Sequence, residues 1–160
     1  MENEIEELIK KFYSKNGIER KIARYELVKI GKPAVVYLSK LLDAPKEYIR
    51  WEAIKTLSQI ADPDSIPILI GALENEDFDI RWMAAEALIS IGKESIKPLL
   101  KAVVLGEKSI FLLEGVHHIL KEFQYKNIFC DDTGLINKIE NHNLYYEIAL
   151  AAEQLLISVK

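Results

Sequence analysis

Small and apolar residues recur along this chain in one repeated block. Aligning Glu19-Arg20-Lys21-Ile22-Ala23 with Ile49-Arg50-Trp51-Glu52-Ala53 and Ile80-Arg81-Trp82-Met83-Ala84 gives spacings of 30 and then 31 residues. Each alanine is followed four residues on by Leu27, Leu57 or Leu88 and three further by Ile30, Ile60 or Ile91, which is one face of a helix. Gly31, Ala61 and Gly92 come next, where a left-handed residue stops a helix. Between the blocks runs a shorter pattern, Val35, Leu38, Leu42, then Ile66, Leu69, Leu73, then Ile96, Leu99, Val103. Each unit is therefore a pair of helices. Pro33 and Pro63 suit first helical positions, and Asp62 and Asp77 are N-cap candidates.

The ends follow the pattern more loosely, as terminal repeats do. Ile5, Leu8, Ile9, Phe12 and Tyr13 form an apolar stripe opposite charged residues, and Val116, Leu120 and Phe123 continue the series with one residue inserted and the Arg slot lost. Asp132 or Thr133 is expected to cap a helix through Asn141, and Ala151-Ala152-Glu153-Gln154-Leu155 echoes Ala84-Ala85-Glu86-Ala87-Leu88. The prediction is ten helices in a single domain spanning 1–160, in approximate pairs 1–31, 32–61, 62–92, 93–124 and 125–160. The fold class is an all-α superhelix, a solenoid of about five helix pairs.

With this register in hand, the sequence resembles the HEAT-repeat family, specifically its short, phycobilisome-lyase-like branch. Ile80 to Gly92 fits the pattern Val/Ile-Arg-x-x-Ala-Ala-x-Ala-Leu-x-x-Ile-Gly throughout, Ile49 to Ala61 at most positions, and Glu19 to Gly31 more weakly. The resemblance implies that the arginine of each block reaches Asp or carbonyl groups in the loops and ties neighbouring repeats together. It also implies that the second helix of each pair lines a concave surface, with the two residues after the arginine facing outward.

Composition narrows the chemistry. Apolar residues make up 49% of 160, enough for a core, and no run is long enough to span a membrane. A single cysteine and no leader pattern make a reducing cytoplasm the default. A net charge of −4 argues against nucleic acid as partner. The seven glycines are scattered, so no phosphate cradle forms locally, and no catalytic or metal-binding motif is present. His117 and His118 are adjacent on a helix, so their side chains diverge by about 100° and do not share a metal.

Trp51 and Trp82 hold equal phase in successive repeats, off the Ala-Leu-Ile face, and stacked pairs should set the two rings side by side. Together with Tyr25, Glu52, Lys55, Met83, Glu86 and His118 they form the candidate partner-binding surface, an aromatic anchor with a polar rim. The reading is a non-enzymatic scaffold, without catalytic residues, metal or cofactor, that binds a helix or extended segment of another protein. Two alternatives are carried. One, implied by the resemblance, is a bilin lyase or its accessory subunit with a tetrapyrrole in the same groove; the other is a HEAT-like DNA glycosylase, disfavoured by the acidic charge. The apolar last helix also leaves only a narrow polar stripe at Glu147, Gln154 and Ser158, which points to a homodimer through residues 133–160.

Overall fold

The computed structural model describes residues 1–106 and 109–159. Among them are ten α-helices and no strand. They are α1 (Glu2–Phe12), α2 (Gly17–Ile30), α3 (Lys32–Ser39), α4 (Glu47–Ile60), α5 (Ile66–Ala72), α6 (Phe78–Ile91), α7 (Ile96–Leu105), α8 (Ile110–Tyr125), α9 (Leu135–Glu140) and α10 (Tyr145–Ser158).

The expected punctuation is present. Gly31, Ala61 and Gly92 all take positive φ at the ends of α2, α4 and α6. Asn16, Asp77 and Ser109 accept backbone N–H bonds at the starts of α2, α6 and α8. Asp62 does the same for the 3₁₀ turn that leads into α5. At α9 the cap is Asp131, whose two carboxylate oxygens accept the N–H groups of Leu135 and Ile136 at 2.8 Å; the expected Asp132 and Thr133 do not cap. Asp131 reaches further because Gly134, in left-handed conformation, turns the chain back over it.

The helices stack in two rows. One row is α2, α4, α6 and α8, each packed on the next through Ala23, Ala53, Ala84 and Val116, all fully buried. The other is α1, α3, α5 and α7, and a continuous apolar core lies between them. Small side chains at the crossing points let the second helices approach closely.

The last pair departs from the expected order. α9 packs on α8 and α10 on α7, so the final helix joins the first-helix row although its sequence echoes α6. After α8 the chain folds back: the N–H groups of Ile128 and Phe129 both donate to Phe123 O, and Phe129 plugs the end of the core. The chain therefore enters α9 on the α8 side. Tyr145 Oη, 2.5 Å from Val103 O and 3.0 Å from Gly106 O, then pins α10 to the end of α7.

Candidate functional site

The arginine ladder is built as the repeat pattern implies. Arg20, Arg50 and Arg81 each donate from Nη1 to a carbonyl six residues back, Ser14 at 2.9 Å, Ala44 at 2.9 Å and Asn75 at 2.8 Å. Each also reaches forward to the next second helix. Arg20 Nε meets Glu52 Oε1 at 3.4 Å, and Arg50 Nη2 lies 3.7 Å from Asp77 Oδ2. Arg81 instead lays its guanidinium 4.1 Å from the ring centroid of Phe111, with Phe78 5.6 Å away. Two rungs are thus ion pairs between repeats, and the third is a cation on aromatic faces.

This difference locates the most distinctive surface of the second-helix row. Trp82, about half exposed, tilts over the His118 ring with centroids 4.6 Å apart and stacks on Phe78 at 6.3 Å. His118 Nε2 is 3.0 Å from Glu86 Oε1, which joins α6 to α8 beside the indole. Phe78, Arg81, Trp82, Ala85, Phe111, Glu114, Gly115 and His118 enclose a cleft of about 160 Å³. Gly115 lets α8 lie close to the end of α5 beside the cleft: a Cβ there would come 2.9 Å from Cδ2 of the buried Leu73, which would have to shift. The cleft has room for a side chain, and lies below the ~300–1,000 Å³ typical of small-molecule sites.

The other expected residues are placed differently. Trp51 does not stack beside Trp82; it is half-buried, with Lys55 Nζ 4.1 Å and Arg24 Cζ 5.7 Å from its ring centroid. Arg24 has no counterpart in the later repeats, where Ile54 and Ala85 hold the same position. Glu52 is corrected most clearly. Only 4% exposed, it accepts from Arg24 Nη1 and Arg20 Nε and so ties α2 to α4 instead of facing a partner. Met83 is partly buried against the core, while Tyr25 is exposed on α2 with Lys29 Nζ 4.3 Å from its ring centroid. Of the expected surface, the structure brings Trp82, Glu86 and His118 together.

Phe78, Arg81 and Phe111 were not expected in the site. The four-residue step from Phe78 to Trp82 on α6 signals a shared face, but the insertion before α8 hides the phase of Phe111. The repeat pattern implies Asp or carbonyl partners in the loops for Arg81, of which the structure shows the carbonyls of Asn75 and Glu76.

His117 diverges from His118 as expected, turning toward Glu140 of α9 at 3.9 Å. Among the described residues no group of three or more His, Cys, Asp or Glu is placed to hold a metal ion. Cys130 Sγ is 3.0 Å from Asp132 Oδ1, and that carboxylate pushes the thiol pKa up. No helix is long and apolar enough to cross a membrane among the described residues.

A family model of HEAT repeats matches residues 5–89 and 35–110. No curated protein sequence matches. Among solved structures, the chain is similar to one from the complex of CpcE and CpcF of phycocyanin lyase from Nostoc sp. PCC7120. The identity is 25% and the TM-score 0.57, covering 94% of this chain and 99% of that one. It is also similar to an engineered protein at 19% identity and a TM-score of 0.44, covering 92% of this chain and 76% of that one. The first likeness corrects the expectation of a scaffold without enzymatic activity, since the similar chain comes from a lyase.

Proposed function

The chain belongs to the HEAT-repeat family, and on that premise we propose that it works as a subunit of a lyase whose second-helix face grips a segment of a protein partner. The observation that carries this reading is the cleft between α6 and α8. Three aromatic rings, the Arg81 guanidinium and His118, itself held by Glu86, surround a space of side-chain size. An aromatic cluster with a polar rim is the composition of an interface hot spot. One apolar side chain of the partner fills the cleft, and Glu86, Glu114 and Arg81 set its orientation from the edge. Support for the lyase assignment comes from the likeness to a chain of phycocyanin lyase along nearly the whole length of both chains.

The likeness to a chain of phycocyanin lyase also leaves room for a second reading, in which the tetrapyrrole implied by the resemblance to phycobilisome-lyase-like repeats is handled on this face. A volume of about 160 Å³ does not hold a whole tetrapyrrole, so such a ligand would lie across the row with one ring in the cleft. Affinity capture from cells that express the protein, comparing the natural chain with a Trp82→Ala, Phe111→Ala variant, tests the first reading. A partner held by the natural chain should be lost or weakened, with each hot-spot truncation costing about 2 kcal/mol. Capture of the same proteins in the same amount by both would remove the cleft from the interface. Absorbance and fluorescence after addition of a bilin separate the readings: a spectral change with the chain alone, abolished by Trp82→Ala, supports the tetrapyrrole.

A further inference from the structure

A larger space opens on the other side of α8, with Glu114 on the ridge between it and the Trp82 cleft. We propose that this cavity between α8, α9 and the start of α10 is a separate binding site for a small organic cation, an ammonium group on an apolar body. Its volume, about 450 Å³, lies within the range of small-molecule sites. Ile110, Leu113, Ile139 and Ile148 supply apolar walls. Its charged lining is acidic: among the described residues Glu114 and Glu140 line it, and no Lys or Arg does. Lys121 Nζ meets Glu140 Oε1 at 3.3 Å, leaving the other oxygen, Oε2, directed at His117.

His117 gives the site its chemistry. Its Nε2 is buried without a hydrogen-bond partner, a costly arrangement for a polar atom. The gap of 3.9 Å to Glu140 Oε2 is too long for a direct hydrogen bond. Nε2 is closed to solvent as the ring stands, so one donor nitrogen reaches both it and Glu140 Oε2 only after a small rotation of the His117 ring opens Nε2 to the cavity. An ammonium group donates two such bonds and leaves its carbon chain toward the isoleucine walls. Burial holds the imidazole pKa below its ordinary value; Lys121 and His118 push the same way, and Glu140 opposes them. At neutral pH the ring is therefore uncharged and one nitrogen can accept. His142, which also lines the cavity, sits at φ +51° as the left-handed stop of α9, where Asn143 N–H donates to Lys138 O at 3.0 Å. A ligand bearing carboxylates meets two carboxylates here, so the site differs in charge preference from the Arg81 side of α8.

The test uses the full chain and three probes of one shape: 2-phenylethylammonium, 2-phenylethanol and 3-phenylpropionate. In heteronuclear NMR of the histidine rings, the ammonium should shift His117 saturably and leave His118 little changed. The alcohol should bind at least about tenfold more weakly and the carboxylate not at all. Glu140→Gln, at a half-exposed position, should weaken the ammonium about tenfold with an unchanged melting curve, and binding should fall as the pH drops below about 6.5 and His117 takes up its proton. Should that variant unfold, Glu114→Gln must show the same loss. Equal binding of all three probes, no saturable shift with the ammonium, or full affinity in a folded Glu140→Gln chain would overturn the proposal. These outcomes do not depend on a protein partner at the Trp82 cleft.

Discussion

Replacing Glu52 by Gln keeps the size of the side chain and removes the charge that holds α2 against α4. The carboxylate side chain is 5% exposed, Arg24 is 11% exposed and Arg20 21%. Arg20 keeps its bond to Ser14 O and some access to water, so the loss falls mainly on Arg24. A hydrogen bond to a charged group contributes about 1.5–3 kcal/mol, and breaking a buried ion pair by removing one partner costs about 3–5 kcal/mol. With the pair near the surface of the row and an amide still able to accept, the expected cost is about 2–3 kcal/mol. For a chain of this size that is roughly 4–12 °C in Tm. Urea unfolding followed by far-UV circular dichroism gives the value directly, with m compared between variants because repeat proteins can unfold in stages. Glu52→Gln combined with Arg24→Met should cost at least about 1 kcal/mol less than the sum of the single changes. A Glu52→Gln midpoint equal to that of the parent, with an additive double-mutant cycle, would refute the buried tie and return Glu52 to the surface where the repeat phase first placed it.

Three further outcomes are expected. Ala84, fully buried where α6 meets its neighbours, should not accept Leu: overpacking costs about 1–3 kcal/mol or more, and an unchanged midpoint would contradict the helix register. His117 titrates below its ordinary value, so the unfolded chain takes up its proton first as the pH drops. This contribution to stability is full above about pH 6.5 and is lost as pH falls toward the lowered native pKa; an NMR midpoint at or above about 6.5 would contradict it. Tyr146, Leu150 and Ile157 stay exposed on α10, and weak self-association through this edge should appear in light scattering at high concentration and vanish in Leu150→Glu, whereas a monomer at every concentration removes the dimer.

The parts of the fold that repeat were legible from the sequence. Ala23, Ala53 and Ala84, the arginines before them and the stops after them each recur in phase, and a stacked pair of helices is the arrangement that uses all three. Helix α10 was misplaced because Ala151-Ala152-Glu153 records only close packing, which α7 satisfies as well as α8 does. The row it joins is decided by the reversal at Phe129, a single buried side chain with no periodic signature. In the site, equal phase led to equal roles for Trp51 and Trp82, yet a residue's surroundings come from the neighbouring helices: Trp82 meets His118 of the following helix, and Trp51 meets Arg24 of the preceding one. Arg24 covers Trp51, and its spacing of four from Arg20 was the sign that both guanidinium groups converge on Glu52.

The central claim is that Trp82 enters the interface with a protein partner. In a Trp51→Phe chain the emission comes from Trp82 alone, and the natural indole is about half exposed. Binding of a captured partner should shift that emission to shorter wavelength and protect it from acrylamide quenching, while the same partner leaves quenching unchanged in a Phe111→Ala chain that no longer binds it. A stable complex in which Trp82 emission and quenching match those of the free protein would contradict the claim.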